Sequence, residues 1–280
     1  MQNAGIAALG LNWRYLAFDV RPEELRETIA GAKAMGFIGL NLTVPHKVLA
    51  VEMVDAIDAR AKRFGAVNTI RFEGKTKAGE WLPLAQVKEG DACEVRSQGF
   101  NTDAEGFVLS LGEEFPELAL AGAAVVLIGT GGAGRTVALR LAEAGVGSLF
   151  LIDVDSSRAE RVAAEIQAAF VETRVTLDYP GAGQRADLLV NATPLGLKPD
   201  DLSPLDEVKF PLRNARFAYD LIYRPAETTL LKQAKAAGCH AANGLGMLLH
   251  QGAAALALWT GGPVPADVMR RALEQNVYGH

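Results

Sequence analysis

The chain has 280 residues and a formal net charge of −5, with 49% hydrophobic and 22% charged residues. That is ordinary globular usage and excludes disorder as the main state. With no basic block it offers no nucleic-acid groove, so an anionic substrate would have to be met by local cations.

Two cysteines, Cys93 and Cys239, make neither a disulfide framework nor a CxxC metal pair, and the four histidines lack ligand spacing. No metal is expected. No basic and apolar leader opens the sequence. The uncharged stretch 236–266 holds an unbroken apolar run only over 253–259, far short of the ~20 residues a membrane span needs. The expectation is a soluble cytoplasmic protein of about two domains.

Residues 13–18 alternate weakly and suggest a strand. Residues 22–35 suit a helix, with Pro22 in the first turn, where its missing N–H costs nothing. A strand over 37–42, a helix over 48–64 and a strand over 66–72 follow. This alternation is βαβ-like and favours parallel strands. Residues 73–97 are polar and contain glycine, and read as a surface hairpin or loop with room for a short strand at 81–87. Thr102-Asp103-Ala104-Glu105 has capping-box spacing and opens a helix to about residue 111.

The run 123–128 is short, apolar and β-branched, as a strand buried on both faces would be. A helix over 135–144 stops at Gly145. A strand over 148–152 ends at Asp153, and a helix over 156–170 comes next. Strands at 188–191 and 217–221, a helix at 227–237, a helix from 244 to about 259 and a last helix at 265–275 complete the pattern.

Between the strand at 123–128 and the helix after it lies Gly129-Thr-Gly131-Gly-Ala-Gly134. Twenty-nine glycines make the bare GxGxxG spacing unspecific, but its context is that of a dinucleotide-binding loop. It follows a buried strand, opens a helix and precedes an acid about 20 residues on. Gly129 permits the tight turn, Gly131 lets the backbone approach a pyrophosphate, and Gly134 lets helix and strand pack closely. Gly132 and Ala133 complete the candidate loop, and the helix N-terminus adds free N–H groups. A plain βα turn is the alternative.

Asp153 stands where a carboxylate accepts from both ribose hydroxyls and repels a 2′-phosphate. Val154 offers no cation, while Arg158 could still reach a phosphate. This local chemistry favours NAD over NADP. Asp153 could instead cap the next helix, a role open to Asp155 as well.

Six further segments occur in order. They are Asn41-Leu-Thr43-Val-Pro45-His-Lys47, Gly65-Ala-Val-Asn68-Thr69, Asn101-Thr-Asp103, Asn191-Ala-Thr-Pro-Leu-Gly196, Tyr219-Asp-Leu-Ile-Tyr223 and Asn243-Gly-Leu-Gly-Met247-Leu-Leu-His-Gln251. Over essentially the whole chain they resemble the shikimate dehydrogenase family, which includes quinate/shikimate dehydrogenases. The resemblance implies an α/β protein in which a Rossmann-type dinucleotide-binding domain, 105–242, is inserted into a discontinuous α/β substrate-binding domain, 1–104 with 243–280. It implies reversible reduction of 3-dehydroshikimate to shikimate with NAD or NADP, by a monomer or homodimer.

The same resemblance makes Lys47 and Asp103 the catalytic pair. Thr43, Asn68 and Gln251 would bind substrate hydroxyls, as would Asp103, and Tyr223 would lie near the substrate carboxylate. Asn191, Ala192, Thr193 and Leu221 would touch the cofactor, with Gly244, Gly246 and Met247 on the nicotinamide side.

The residues themselves agree in part. Pro45 marks a helix start, so Lys47 falls in a first turn, where a cation opposes the helix dipole at about 0.3–1 kcal/mol. Plain stability would prefer an acid there, and a lysine points to proton transfer. Asp103 could equally be a stabilising first-turn acid, Asn68 a strand-end brace and Tyr223 a packed loop aromatic. Gln251 shares a helix face with Met247 and needs polar partners, on a substrate or on another helix. His46 and His250 read as bystanders.

Three departures from the family stand out. The family opens with a strand and an S-x-S-P serine pair ahead of the segment matching Gln2-Asn3-Ala4-Gly5, and here Met1 stands at that point. On this reading the first strand and the carboxylate-binding serines are missing. Weak substrate binding is expected, since hydrogen bonds to a charge are worth ~1.5–3 kcal/mol each. Residues 73–97 are longer than usual. Asp153-Val154-Asp155 replaces an Asn-Arg-Thr run typical of NADP users, which leaves room for quinate as substrate. The rival readings are a methylene-tetrahydrofolate-type dehydrogenase and a non-catalytic nucleotide-binding relative.

Overall fold

The computed structural model describes residues 1–88, 90–198 and 200–279. The chain divides into two compact units, Met1–Gly106 with Leu249–His280, and Phe107–Leu248.

In the first unit the elements are α1 (Gln2–Ala8), α2 (Leu25–Ala34), β1 (Gly39–Asn41), α3 (His46–Leu49), β2 (Ala56–Ile57), α4 (Ala59–Phe64), β3 (Thr69–Lys75), β4 (Trp81–Pro83) and β5 (Glu94–Phe100). The strands form one sheet in the order β1-β3-β5-β2, with β4 also on β3. Leu25, Ile29, Ala32, Ala61, Val67, Ile70 and Phe72 form the core between this sheet and its helices. Gly39 is required by packing, because a Cβ there would lie 2.1 Å from Trp259 Nε1. That indole donates to the Ile70 carbonyl at 2.9 Å.

Several expectations change here. The βαβ-like reading favoured parallel strands, yet β1, β4 and β5 all run antiparallel to β3, and among the described residues of this sheet only β2–β5 is parallel. The helix expected over 48–64 is broken into α3, a 3₁₀ turn, β2 and α4. Asp55 causes the break. Its carboxylate accepts from the Ser97 N–H at 2.7 Å and hydroxyl at 2.8 Å, drawing the segment onto β5 as an edge strand. Tertiary pairing thus overrides helical composition. Asp58 then caps α4, and Gly65, at φ +55°, ends it.

No strand forms at 13–18. The Asn3 amide side chain takes both backbone groups of Tyr15, at 2.8 and 2.9 Å, in place of a ladder. The segment 73–97, of which Glu89 lies outside the described residues, takes the hairpin form, with β3 and β5 antiparallel at its base and β4 as the short strand. β3 and β5 continue into it, and Glu73, 1% exposed, pairs with Arg71 and with Arg96.

The chain passes into the second unit along α5 (Asp103–Glu114). The elements that follow are β6 (Ala124–Ile128), α6 (Gly132–Glu143), β7 (Ser148–Ile152), α7 (Ser156–Ala169), β8 (Arg174–Thr176), β9 (Ala186–Asn191), β10 (Ala215–Asp220), α8 (Thr229–Ala236) and β11 (His240–Asn243), then α9 (Leu245–Thr260), which returns to the first unit, where α10 (Ala266–Tyr278) ends the chain. The six strands order as β11-β10-β9-β6-β7-β8, all parallel. This is the doubly wound Rossmann order, whose topological switch point falls between β6 and β9. The sequence reading had no element at α1, β8 or β11. Among the described residues no helix is long and apolar enough to cross a membrane, and no group of His, Cys, Asp and Glu could hold a metal.

Candidate active site

In the first unit, α3 and the start of α5 bring Lys47 and Asp103 together. Lys47 Nζ donates to Asp103 Oδ2 at 2.9 Å, and both side chains are mostly buried, at 27% and 14% exposure. The lysine's backbone is fixed as well, because its carbonyl accepts from the Val67 N–H at 2.7 Å. The helix around Lys47 has only four residues, too short for the dipole argument made from Pro45. The carboxylate of Asp103 is what holds Lys47.

Beside this pair lies a buried polar network. Asn68, 2% exposed, accepts at Oδ1 from the Thr102 N–H at 2.8 Å and the Thr69 hydroxyl at 3.1 Å. Its Nδ2 donates to Thr102 Oγ1 at 3.0 Å and, at 3.5 Å, to Gln251 Oε1. Asn41 extends the network by donating to Thr69 Oγ1 at 3.0 Å and accepting from the Tyr15 hydroxyl at 3.0 Å. Burial pushes the Tyr15 phenol up from its usual range.

Thr102 therefore faces inward, contrary to the capping-box reading, and Asn101 Oδ1 accepts from the Ala104 N–H at the start of α5. Thr43 is exposed, and its carbonyl accepts from the His46 N–H at 2.8 Å. Lys47, Asp103, Asn68 and Gln251 thus lie in one hydrogen-bonded region of the unit or beside it. Asn41, Thr69, Thr102 and Tyr15 are members that the sequence reading gave no such role. Three of them, Asn41, Thr69 and Thr102, stand inside the quoted motifs.

In the second unit the glycine loop lies at the switch point. Gly129 has φ +94°, and a Cβ on it would sit 2.8 Å from the Ala192 carbonyl oxygen. A Cβ on Gly134 would sit 1.9 Å from the Gly129 carbonyl oxygen. Gly131 and Gly132 are the opposite case, with open space where a Cβ would point. Gly131 is the N-cap of the twelve-residue α6 and gives it no side-chain cap. The first N–H groups of α6 and an open, side-chain-free approach make a cradle that fits a dinucleotide pyrophosphate. Ala133 sits in the first turn of that helix.

Asp153 Oδ2 accepts from both the N–H and the hydroxyl of Thr130 at 2.7 Å, and Oδ1 accepts from the Asp155 N–H at 2.9 Å. Burial works to raise its carboxyl, but these bonds and nearby Arg158 outweigh it and hold the group below the usual range. Asp155, not Asp153, caps α7 by accepting from the Ser157 N–H at 3.1 Å. About four acceptor positions exist on a carboxylate. Three are filled on Asp153, leaving room for one ribose hydroxyl and not two. Arg158 pairs with Asp155 at 3.1 Å, and Val154 is fully exposed.

The carboxyl ends of β9, β10 and β11 bring the other candidates close. The Ala192 N–H donates to the Ile128 carbonyl at 2.7 Å and the Leu221 N–H to the Asn191 carbonyl at 2.9 Å. Asn191 Oδ1 receives the N–H and hydroxyl of Thr193 at 2.9 and 2.8 Å. The Gly244 N–H reaches the Ile222 carbonyl at 3.2 Å, and a Cβ on Gly244 would sit 2.1 Å from the Leu221 carbonyl oxygen. Gly246 packs on Ser110, where a Cβ would fall 2.4 Å from Oγ. That hydroxyl bonds Tyr219 at 2.7 Å, and Met247 lies in the first turn of α9. Tyr223 is half-buried in the turn after β10.

Comparison with known proteins supports a common ancestry. The family model for the shikimate dehydrogenase substrate binding domain matches residues 1–70, and that for the shikimate 5'-dehydrogenase C-terminal domain matches residues 244–274. The shikimate dehydrogenase (NADP(+)) of Moorella thermoacetica is 42% identical over 98% of this chain and 87% of its own length. The crystal structure of shikimate 5-dehydrogenase from Thermus thermophilus, in complex with NADP(H) and shikimate, superposes with a TM-score of 0.78 at 35% identity, over 98% of this chain and 92% of that one. Quinate dehydrogenase from Corynebacterium glutamicum, in complex with NAD, gives 0.74 at 30%, over 96% and 91%. With the doubly wound sheet, its glycine cradle and nearly full-length identity in agreement, this chain belongs to the shikimate dehydrogenase family.

Proposed function

We propose that this protein is a nicotinamide-dependent oxidoreductase that reversibly reduces 3-dehydroshikimate to shikimate. The observation that carries the reading is the 2.9 Å Lys47–Asp103 pair beside the buried Asn68 network. In family relatives of nearly full-length match, the name itself is shikimate dehydrogenase.

Each role follows from chemistry. A nicotinamide dinucleotide bound at the glycine cradle would supply hydride to the ring ketone. Lys47 donates a proton from Nζ to the developing alkoxide, and Asp103, 2.9 Å away, holds and aims that side chain. Asn68, Gln251 and Thr43 orient the ring through its hydroxyls, and Tyr223 meets the carboxylate; fixed orientation supplies much of the rate. In the cofactor half, Gly129, Gly131, Gly132, Ala133 and Gly134 take the pyrophosphate. Asn191, Ala192, Thr193, Leu221, Gly244, Gly246 and Met247 shape the remaining wall. On this division, the first unit is the substrate domain and the second the dinucleotide domain. An intact acid–base pair speaks against a non-catalytic relative.

For the cofactor, the reading extends to NAD in preference to NADP. Asp153 keeps one acceptor position for a ribose hydroxyl, Val154 brings no cation, and Arg158 is engaged by Asp155. The Moorella relative is named for NADP(+), so the choice is tested directly. Absorbance at 340 nm is followed with shikimate and quinate, each against NAD and NADP. Turnover with shikimate and NAD is expected. Turnover only with NADP overturns the cofactor reading, turnover only with quinate overturns the substrate, and none in any pairing overturns the activity.

A further inference from the structure

Asp220 ends β10 with no exposure at all. Its Oδ1 accepts from Asn191 Nδ2 at 2.9 Å and from the Ile222 N–H at 3.0 Å, and its Oδ2 accepts from the Thr228 hydroxyl at 2.7 Å. All three donors are neutral, and no lysine, arginine or histidine among the described residues pairs with it. Burial raises its carboxyl from the usual range, and the three bonds only partly pull it back.

Stability alone gives no reason for this group. A buried carboxylate with no cation is costly, and apolar packing of the same volume would serve the fold better. What the carboxylate uniquely offers is acceptance without donation. Three donors converge on it from three segments. Asn191 is held with its amide nitrogen on Asp220 and on the Leu195 carbonyl at 3.2 Å, so its oxygen must face Thr193. That fixes the bend of 191–193. The Ile222 bond fixes the turn that carries Leu221, against which Gly244 packs. Thr228 is thereby held as the N-cap of α8, accepting from the Leu231 N–H at 3.3 Å.

We propose that Asp220 is a positioning residue for the cofactor, whose carboxylate sets the conformations of 191–193 and 221–222 that form one wall of the dinucleotide site. This rests on the proposed nicotinamide-dependent function. The amide isostere would turn an N–H₂ against at least one of the three donors, so Asp220→Asn disturbs the wall while preserving size.

The test is titration of the purified protein with NAD and with NADP, read by protein fluorescence, alongside Tm and steady-state constants. Asp220→Asn is expected to weaken the preferred dinucleotide about tenfold or more, as loss of charge-assisted bonds implies. Its kcat at saturating cofactor should stay within a few fold and its KM for shikimate should be unchanged. Leu230→Ala, a core cavity in the adjacent α8, is the control: it lowers Tm and leaves dinucleotide affinity as it was. Thr228→Val removes a single donor and is expected to weaken affinity by about threefold, which keeps the proposal testable if the Asn variant does not fold. Asp220→Asn or Thr228→Val that loses Tm like the control with unchanged affinity overturns the proposal alone. A parent protein that binds neither dinucleotide overturns the functional reading and the proposal with it.

Discussion

The two units carry their candidate functional residues by opposite means. In the first unit the chemistry is in side chains: an ammonium, a carboxylate and a buried amide, each with named partners. In the second it is in their absence. Gly134 and Gly129 must lack a Cβ for the backbone to close, and Gly131 and Gly132 leave their surroundings open. A side-chain site fails when a functional group is removed, and a backbone site fails when atoms are added.

That contrast orders the expected effects. Lys47→Ala should lower kcat by about 10²–10⁴-fold, the usual worth of a positioned acid or base, and steady-state turnover checks it. Gly134→Ala adds a single carbon where an oxygen already sits 1.9 Å away. Overpacking of this kind costs about 1–3 kcal/mol or more. Dinucleotide affinity should fall about tenfold, or the second unit should lose stability, and titration with a melting curve separates the two. An unchanged affinity and Tm would break the comparison.

Asn68→Ala leaves the Thr102 N–H and the Thr69 hydroxyl without their acceptor. Each unsatisfied buried group costs about 1–3 kcal/mol, so Tm should fall by several degrees, at about 2–4 °C per kcal/mol for a chain this size. The shikimate KM should rise with it. A parent-like Tm would show that the network is dispensable.

The smallest effect is one of pH. The Asp153 carboxyl is held below its ordinary value, near 3.9 for a free aspartate. A depressed acid contributes stability above its unfolded pKa and loses it as pH falls through the folded one. The Tm advantage of the parent over Asp153→Asn should therefore be full at pH 7 and shrink below about pH 4. A constant difference down to pH 3 contradicts the role given to the Thr130–Asp153 bonds.

What the sequence revealed follows the same division. The backbone site was legible because its rules are local. A buried strand, glycine spacing and a strand-ending acid suffice, and β6, α6, β7 and α7 formed within a few residues of expectation. The first unit was less legible because long-range partners shape it. Residues 48–64 have helical composition, but Ser97, 42 positions from Asp55, pulls part of them into β2. Thr102 has capping-box spacing, but Asn68 claims its hydroxyl from 34 positions away. Antiparallel pairing of β1 with β3 likewise depends on registry that no local pattern states. Lys47 and Asp103, 56 residues apart, were named through family resemblance, and their spacing alone would not have joined them.

The most direct test of this division of labour uses Lys47→Ala in a single cuvette. Dinucleotide is titrated first by fluorescence, then shikimate is added and 340 nm absorbance followed. The account predicts parent-like dinucleotide affinity and turnover reduced by at least about a hundredfold. Turnover within a few fold of the parent would contradict it.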